Sequence, residues 1–233
     1  MNKRNVVLIT GTRKGIGKYL VEYYVNKGFQ VIGCSRNAVD YEFKDYEHFC
    51  LDVCDEEKVK EMFVEIRKQY TKLDILINNA GIASMNHSML TPLHIAHKIV
   101  NTNLLGTFLF CRESSKLMQQ NKYGRIINFV TVAVPLKIAG EAMYASSKAA
   151  VLTLTQVLAK ELANMGITVN AIGPTPVKTD LIRSVPKDKI DNLLHSQAIQ
   201  KFGEFKDISN VIDFFIKPES NFITGQVLYL GGV

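Results

Sequence analysis

Short apolar runs alternate with amphipathic helical stretches from one end of the chain to the other. Alternation of this kind predicts β-strands separated by crossover helices, which build a parallel sheet with helices on both faces. The runs are rich in Val, Ile and Leu, as is typical of strands buried on both sides. We therefore expect an α/β fold with a doubly wound parallel sheet of about seven strands. The predicted strands are 5–10, 30–35, 48–53, 73–78, 124–130, 167–172 and 226–230, and the predicted helices are 16–26, 55–70, 91–121, 142–164 and 207–217.

A glycine-rich turn joins the first predicted strand to the first predicted helix. Gly11, Gly15 and Gly17 have the spacing G-x-x-x-G-x-G, and the helical pattern starts at Ile16. Glycine lets a backbone approach a pyrophosphate closely, and a helix N-terminus supplies free N–H groups and the positive end of a dipole. The alternative interpretation is a plain tight turn, because this spacing differs from the G-x-G-x-x-G pattern.

The end of the second predicted strand bears on the choice of nucleotide. Sites for NAD place an Asp or Glu there to bind the ribose 2′-hydroxyl, whereas this chain has Ser35 followed by Arg36. A guanidinium at that point, with Arg13 or Lys14 across the glycine turn, suits a 2′-phosphate. The pattern favours NADP(H) as cofactor. The alternative is that Arg36 is a solvated surface residue.

A tyrosine and a lysine with helical spacing are candidates for acid–base chemistry. Tyr144 and Lys148 lie four residues apart, which places both side chains on one face of a helix. A nearby ammonium lowers the pKa of a phenol, which ordinarily lies near ~10. Thr131, at the end of the preceding strand, could help to hold a carbonyl or alcohol oxygen. The spacing alone is weak, because Tyr23 and Lys27 share it without any other sign of catalysis.

Some of the remaining stretches are irregular. Residues 179–204 are amphipathic but interrupted by a proline, which indicates a lid over a pocket. Residues 37–47 are polar and too short for a full crossover helix, so we expect a loop or one or two turns. Asn101 and Asn103 lie inside a helical pattern where asparagine is a poor helix former, so at least one should have a specific task.

Composition and charge narrow the classes of function. The chain has 233 residues, 47% of them hydrophobic, which suits one good-sized core and a single domain over 1–233. The net charge is +6, but the basic residues form no run, so nucleic acid is not expected as a partner. No apolar stretch approaches the ~18 residues of a membrane span, so we expect a cytoplasmic protein without a membrane partner. The four cysteines and five histidines lack zinc-site spacing, and no metal is expected.

Several motifs together resemble those of the short-chain dehydrogenase/reductase family over essentially the whole chain. They occur in the family's order and at its separations, which is far more specific than any one of them alone. The end of the chain is similar to the 3-oxoacyl-(acyl-carrier-protein) reductase branch. The motifs are TGTRKGIG at 10–17, LDV at 51–53, NNAG at 78–81, NTNLLGTF at 101–108, YASSK at 144–148, ITVNAIGPTPVKTD at 167–180, and KFGEF followed by ITGQVLYLGG.

This resemblance implies a Rossmann-like fold and a role for each matching residue. Tyr144 would be the proton donor or acceptor, and Lys148 would bind the nicotinamide ribose and lower the Tyr144 pKa. Thr131 stands where the family has a catalytic serine, and Asn103 would hold a water in a proton relay. The remaining residues would bind the cofactor. The pyrophosphate would contact the glycine turn, at Gly11, Arg13, Lys14, Gly15, Ile16 and Gly17, and the adenosine 2′-position would contact Ser35 and Arg36. The adenine and a ribose would contact Asp52, Val53, Asn79, Ala80 and Gly81, and the nicotinamide would contact Pro174, Val177 and Thr179.

Three features depart from the family pattern. Thr131 replaces the serine and adds a methyl group, and Thr175 replaces the glycine of a Pro-Gly pair after the sixth strand. The segment after the second strand is also shorter than usual. The two threonines bear on rate and substrate, and none of the three features bears on the fold.

The activity implied by the resemblance is NADPH-dependent reduction of a ketone to an alcohol, with Tyr144 delivering the proton. The substrate, free or carrier-bound, would be a 3-oxoacyl thioester, a polyketide-like ketone or a sugar. The alternative is an NADP(H)-binding protein with weak or lost catalysis and a binding or regulatory role. A homo-oligomer, tetramer or dimer, is also expected, because the helices carrying Asn103 and Tyr144 form the usual subunit interface in this family.

Overall fold

The structure, a computed structural model, describes residues 4–182 and 185–233. Within these residues seven strands form one parallel sheet, which confirms the predicted α/β fold class. The strands are β1 (Val6–Thr10), β2 (Gln30–Ser35), β3 (Tyr46–Cys50), β4 (Ile75–Asn78), β5 (Gly124–Phe129), β6 (Ile167–Gly173) and β7 (Val227–Tyr229). Their order across the sheet is β3-β2-β1-β4-β5-β6-β7. The chain therefore winds outward from β1 in one direction and then from β4 in the other.

Helices cover both faces of this sheet. They are α1 (Gly15–Asn26), α2 (Glu56–Tyr70), α3 (Leu93–Val100), α4 (Gly106–Met118), α5 (Ala133–Leu136), α6 (Ala142–Leu162), α7 (Lys187–His195) and α8 (Phe205–Ile216). Apolar side chains of α2, α4 and α6 form one buried cluster with the sheet, and those of α1 and α8 form another on the opposite face. Alternate residues of β1, such as Leu8 and Ile9, enter the two clusters in turn, as the period of a strand requires.

The third strand and the start of the helix at 91 differ from the sequence predictions. β3 runs Tyr46–Cys50 rather than 48–53, because its pairing with β2 begins at Val31 and ends with that strand. The helix begins at Leu93 rather than at 91, with an extended Pro92 before it. The Thr91 hydroxyl donates to the His87 carbonyl, at 3.2 Å, which holds Thr91 outside the helix.

The helix predicted over 91–121 contains a widened turn near Asn101. Residues Asn101–Leu105 form a π-type segment that joins α3 to α4 without interrupting the helix. Segments of this kind are rare and are frequent at functional sites. The turn places Asn103 in a fully buried position.

The stretch at 179–204 is more regular than its sequence indicates. It contains a short 3₁₀ turn (Asp180–Ile182) and α7, while residues 183 and 184 of the predicted lid lie outside the described residues. The end of the stretch lies beside the residues just before its start, because Gly203 donates its N–H to the Pro176 carbonyl at 3.0 Å. Residues 37–45 form a loop, whereas the last two residues of the loop predicted over 37–47 belong to β3. None of the described helices combines the length and the apolar character that a membrane span requires.

Candidate active site

A cleft of about 620 Å³ opens at the carboxyl ends of the central strands. The strand order reverses between β1 and β4, and ligands of open α/β sheets bind at such a switch point. The volume is in the range usual for small-molecule sites. All but two of the residues predicted as catalytic or cofactor-binding line this cleft, and the exceptions are Gly17 and Asn103.

The glycine turn has the geometry of a phosphate cradle. Gly11 and Gly15 have φ values of +74° and +59°, which favour glycine. A Cβ at Gly17 would lie 2.1 Å from the Gly11 carbonyl oxygen, so no larger residue fits there without moving the turn. Asn79 fixes the turn from the neighbouring strand, because its amide donates to the carbonyls of Thr10 (2.8 Å) and Gly11 (3.2 Å).

These residues fit the pyrophosphate of a dinucleotide. The N-terminus of α1 faces the cleft with its free N–H groups, and the first turn of α1 carries no acidic side chain that would repel an anion. Gly17 lies behind this surface. Because it has no side chain, the start of α1 can pack closely against the turn that follows β1.

The end of the cleft beside β2 is cationic. Arg13 and Arg36 both line it, with Ser35 and Asn37 between them. In the amide orientation that satisfies both neighbours, Asn37 donates to the Arg36 carbonyl (3.2 Å) and accepts from Arg13 (3.1 Å). Lys14, the other predicted cation, pairs with Asp180 at 2.7 Å. Thus Arg13 and Arg36 are the cations available at this end, and Lys14 links the glycine turn to the segment after β6.

Tyr144 lies in the wall of the cleft, beside Thr131. Burial raises the pKa of the Tyr144 phenol to about 12, and a hydrogen bond from Thr131 partly opposes this rise. The spacing of Tyr144 and Lys148 predicted a lowered pKa instead. The physical reason for the difference is desolvation: a phenolate in this wall would lose its hydration.

Lys148 is buried and directed at the backbone of β5. Its ammonium donates to the Phe129 carbonyl at 2.7 Å, and burial lowers the pKa of Lys148 to about 8. The ammonium also adjoins Gly81, since a Cβ at Gly81 would lie 3.4 Å from the Lys148 nitrogen. A cation is therefore held at the floor of the cleft, between the ends of β4 and β5.

Asn103 supports the site from behind. Its amide oxygen accepts from the Ile82 N–H (2.9 Å), while its nitrogen donates to the Ile82 carbonyl (2.9 Å) and the Ser147 hydroxyl (3.0 Å). The side chain thus ties the loop after β4 to α6. This confirms that an asparagine in this helical pattern has a specific task, while its part in holding a water stays a prediction.

The two threonine substitutions have different surroundings. The Thr131 hydroxyl faces Tyr144 and also accepts the Ala133 N–H at 3.2 Å, so the hydroxyl expected of a serine is present. Thr175 is buried, and its hydroxyl is hydrogen-bonded to the Gln197 side chain. Thr175 therefore connects the end of β6 to the segment after α7.

Sequence reasoning missed several residues that line the cleft. Two of them, Glu141 and Asp180, carry carboxylates, and Glu141 precedes Tyr144 by one helical turn. That spacing could have drawn attention to it, because residues three apart on a helix share a face. The others include apolar side chains at Ile138, Val185 and Leu193. Across residues 4–182 and 185–233, no group of three His, Cys, Asp or Glu side chains is arranged to hold a metal ion.

Comparison with known proteins places this geometry in one family. Residues 5–190 match the short chain dehydrogenase family. The 3-oxoacyl-[acyl-carrier-protein] reductase FabG of Salmonella typhimurium is 31% identical over 233 aligned residues, which cover 97% of this chain and 96% of FabG.

Solved structures agree with that match. ElxO with NADP bound has a TM-score of 0.88 and 33% identity over 97% of each chain. A short chain dehydrogenase of Leptospira borgpetersenii with bound NAD+ has a TM-score of 0.89 and 26% identity over 99% of this chain and 92% of its own. Relatives of the chain therefore include proteins with either nucleotide bound. The chain belongs to the short-chain dehydrogenase family of NAD(P)-dependent oxidoreductases.

Proposed function

We propose that the protein reduces a ketone to an alcohol with NADPH, and that Tyr144 donates the proton. The observation that carries this proposal is the convergence of Tyr144, Thr131 and Lys148 at one end of a cleft whose other end is cationic. Similarity to FabG makes a 3-oxoacyl thioester or a related carbonyl compound the first substrate class to consider.

In this proposal the glycine turn holds the pyrophosphate, and Asp52, Val53 and residues 79–81 hold the adenine and a ribose. Pro174, Val177 and Thr179 line the nicotinamide. A reduced nicotinamide, when bound, supplies the hydride for the carbonyl carbon.

Proton delivery is the task of the side chains. With a pKa of about 12 the Tyr144 phenol stays protonated at neutral pH, which suits a donor to the developing alkoxide. The proton passes from the Tyr144 oxygen to the substrate oxygen, and a phenolate remains. The Thr131 hydroxyl and the Lys148 ammonium stabilise that negative charge, and a water near Asn103 would return the proton.

Arg13 and Arg36 support the choice of NADP(H). A 2′-phosphate carries two negative charges that an ion pair with guanidinium groups would satisfy. Ser35, in place of the carboxylate of NAD sites, leaves room for the phosphate and adds no repulsion.

Further parts of the proposal concern organisation. We propose one domain over 1–233, a lid around 179–204, and a homo-oligomer, dimer or tetramer, formed through α4 and α6. Exposed apolar side chains on these helices and at the end of the π-type segment support the last point, namely Phe108, Val157 and Leu105. Four free thiols suit the reducing environment of the cytoplasm.

The proposed function is tested by following NADPH oxidation with a panel of ketones that includes an acetoacetyl thioester, a polyketide-like diketone and a ketose. We expect turnover with at least one of them. Tight NADPH binding without oxidation on any ketone would contradict the proposal and would favour the alternative, a binding protein in which catalysis has decayed.

The rate of reduction should depend on pH through Lys148. Both Tyr144 and Lys148 act in their protonated forms, so the lower of their two pKa values sets the upper limit of activity. We expect kcat/KM for reduction to be level at low pH and to fall as pH rises through about 8. The measurement is kcat/KM between about pH 6 and pH 10. A level profile up to the highest pH would show that the charge of Lys148 is not needed.

A further inference from the structure

The far end of the cleft is formed by the segment before α6 and by α7. A Cβ at Gly140 would lie 3.7 Å from the Lys189 nitrogen, which shows how closely these two elements approach. The side chains that line the cleft from them are mostly apolar, as at Ile138, Val185 and Leu193. A substrate whose carbonyl lies at Tyr144 would extend its carbon chain along this wall.

Glu141 interrupts the apolar wall. It is partly buried and lines the cleft, and its carboxylate does not cap α6. Among the described residues its side chain has no hydrogen-bond donor or ion-pair partner within bonding distance, although it is in the electrostatic field of Lys189. Burial raises the pKa of Glu141, as expected for a carboxylate that lacks donors.

The Glu141 carboxylate needs a hydrogen-bond donor from the ligand. An ionised carboxylate can only accept hydrogen bonds, and leaving it unpaired while a ligand excludes water is costly. A purely hydrocarbon chain or an anionic group packed against Glu141 would impose that cost. A hydroxyl or an ammonium group on the ligand would remove it.

Helix geometry sets the distance of this donor from the reacting carbonyl. Glu141 and Tyr144 are three residues apart at the start of α6, and side chains with this spacing have Cβ atoms about 5–6 Å apart. A ligand that contacts both groups would therefore carry its donor a few bonds from the carbonyl carbon.

We propose that Glu141 is a specificity-determining residue that binds a hydrogen-bond-donating group of the substrate, a hydroxyl or an ammonium, near the reacting ketone. This inference rests on the proposed reductase function and narrows its substrate class. Polar ketones of this kind are then better substrates than unsubstituted acyl chains.

The test compares butanone, its terminally hydroxylated derivative and its terminally aminated derivative as substrates with NADPH. We expect the wild type to prefer one or both substituted ketones by about 10- to 100-fold in kcat/KM. Glu141→Leu should abolish the preference, mainly through a rise of KM for the substituted ketones. Glu141→Gln should retain a preference for the hydroxyl and lose one for the ammonium, which distinguishes the two donors.

Controls separate binding from folding and from catalysis. Glu161→Gln removes an exposed carboxylate from the same helix and should leave all three substrates unchanged. Calorimetric binding of the hydroxylated and unsubstituted alcohol products gives a readout that does not need turnover. If Glu141→Leu does not fold, Glu141→Gln with the aminated ligand carries the test.

Two results would overturn the inference. One is an equal preference in wild type and Glu141→Leu, and the other is an equal loss on all three ketones that lies in kcat. If the wild type reduces no ketone, the proposed reductase function fails, and the calorimetric comparison still decides whether Glu141 recognises a donor.

Discussion

Replacing Tyr144 by phenylalanine should lower kcat for ketone reduction by about 100- to 10,000-fold, the usual contribution of a positioned general acid. The change removes one hydroxyl and keeps the ring in the cleft wall, so the affinity for NADPH should stay within about twofold. The measurements are steady-state NADPH oxidation and direct titration of NADPH binding. A variant that keeps more than a tenth of the wild-type kcat would show that another group delivers the proton.

The chain contains a matched control for this variant. Tyr23 and Lys27 repeat the spacing of Tyr144 and Lys148, but the Tyr23 hydroxyl donates to Asp213 at 2.6 Å, and Lys27 is paired with the same carboxylate. Tyr23→Phe should therefore leave kcat unchanged and cost a modest amount of stability. A similar loss of rate in both variants would indicate a general effect on folding.

Reversing the charge at Arg36 should change the choice of nucleotide. Arg36→Asp should raise the dissociation constant for NADPH by about 100-fold, because it removes a charge-assisted hydrogen bond and adds repulsion. NADH should change by less than about threefold, or improve, because a carboxylate there can accept from the ribose 2′-hydroxyl. Titration of both nucleotides against the variant measures the difference.

Two further variants define the origin of the effect. Arg36→Lys keeps the charge but loses the planar fork, so an intermediate loss is expected. Arg67→Asp makes the same change on an exposed site in the last turn of α2 and should affect neither nucleotide. Equal weakening of NADPH and NADH by Arg36→Asp would mean that Arg36 does not contact the 2′-phosphate.

The fold was predictable because its signals are local. Each central strand is a short apolar run, and the glycine turn marks the start of α1 without reference to the rest of the chain. The predictions were wrong where contacts with another segment set the limits of an element. The limits of β3 follow from its register against β2, and Thr91 is bonded to His87 of the preceding turn and does not belong to α3. Neither partner is indicated by the composition of the segment itself.

The sequence predicted which residues form the candidate site better than it predicted their ion pairs and pKa values. Almost all the residues predicted from the motifs line the cleft, yet the pairing of Lys14 with Asp180 joins residues 166 positions apart. The pKa of Tyr144 depends on how much water the fold leaves around it, which spacing on a helix does not reveal. Glu141 was missed because one acidic residue before a helix has many ordinary explanations.

The π-type segment Asn101–Leu105 sets the rotation of α4 relative to α3 within one continuous helix. An α-helix advances 100° per residue, so the wider turn rotates every later side chain relative to an unbroken helix. Asn103 can thereby face Ile82 while Phe110 and Leu117 of α4 face the sheet. One continuous helix thereby meets two demands at once: it anchors the loop after β4 through the Asn103 amide, and it buries the apolar side of α4 against the sheet.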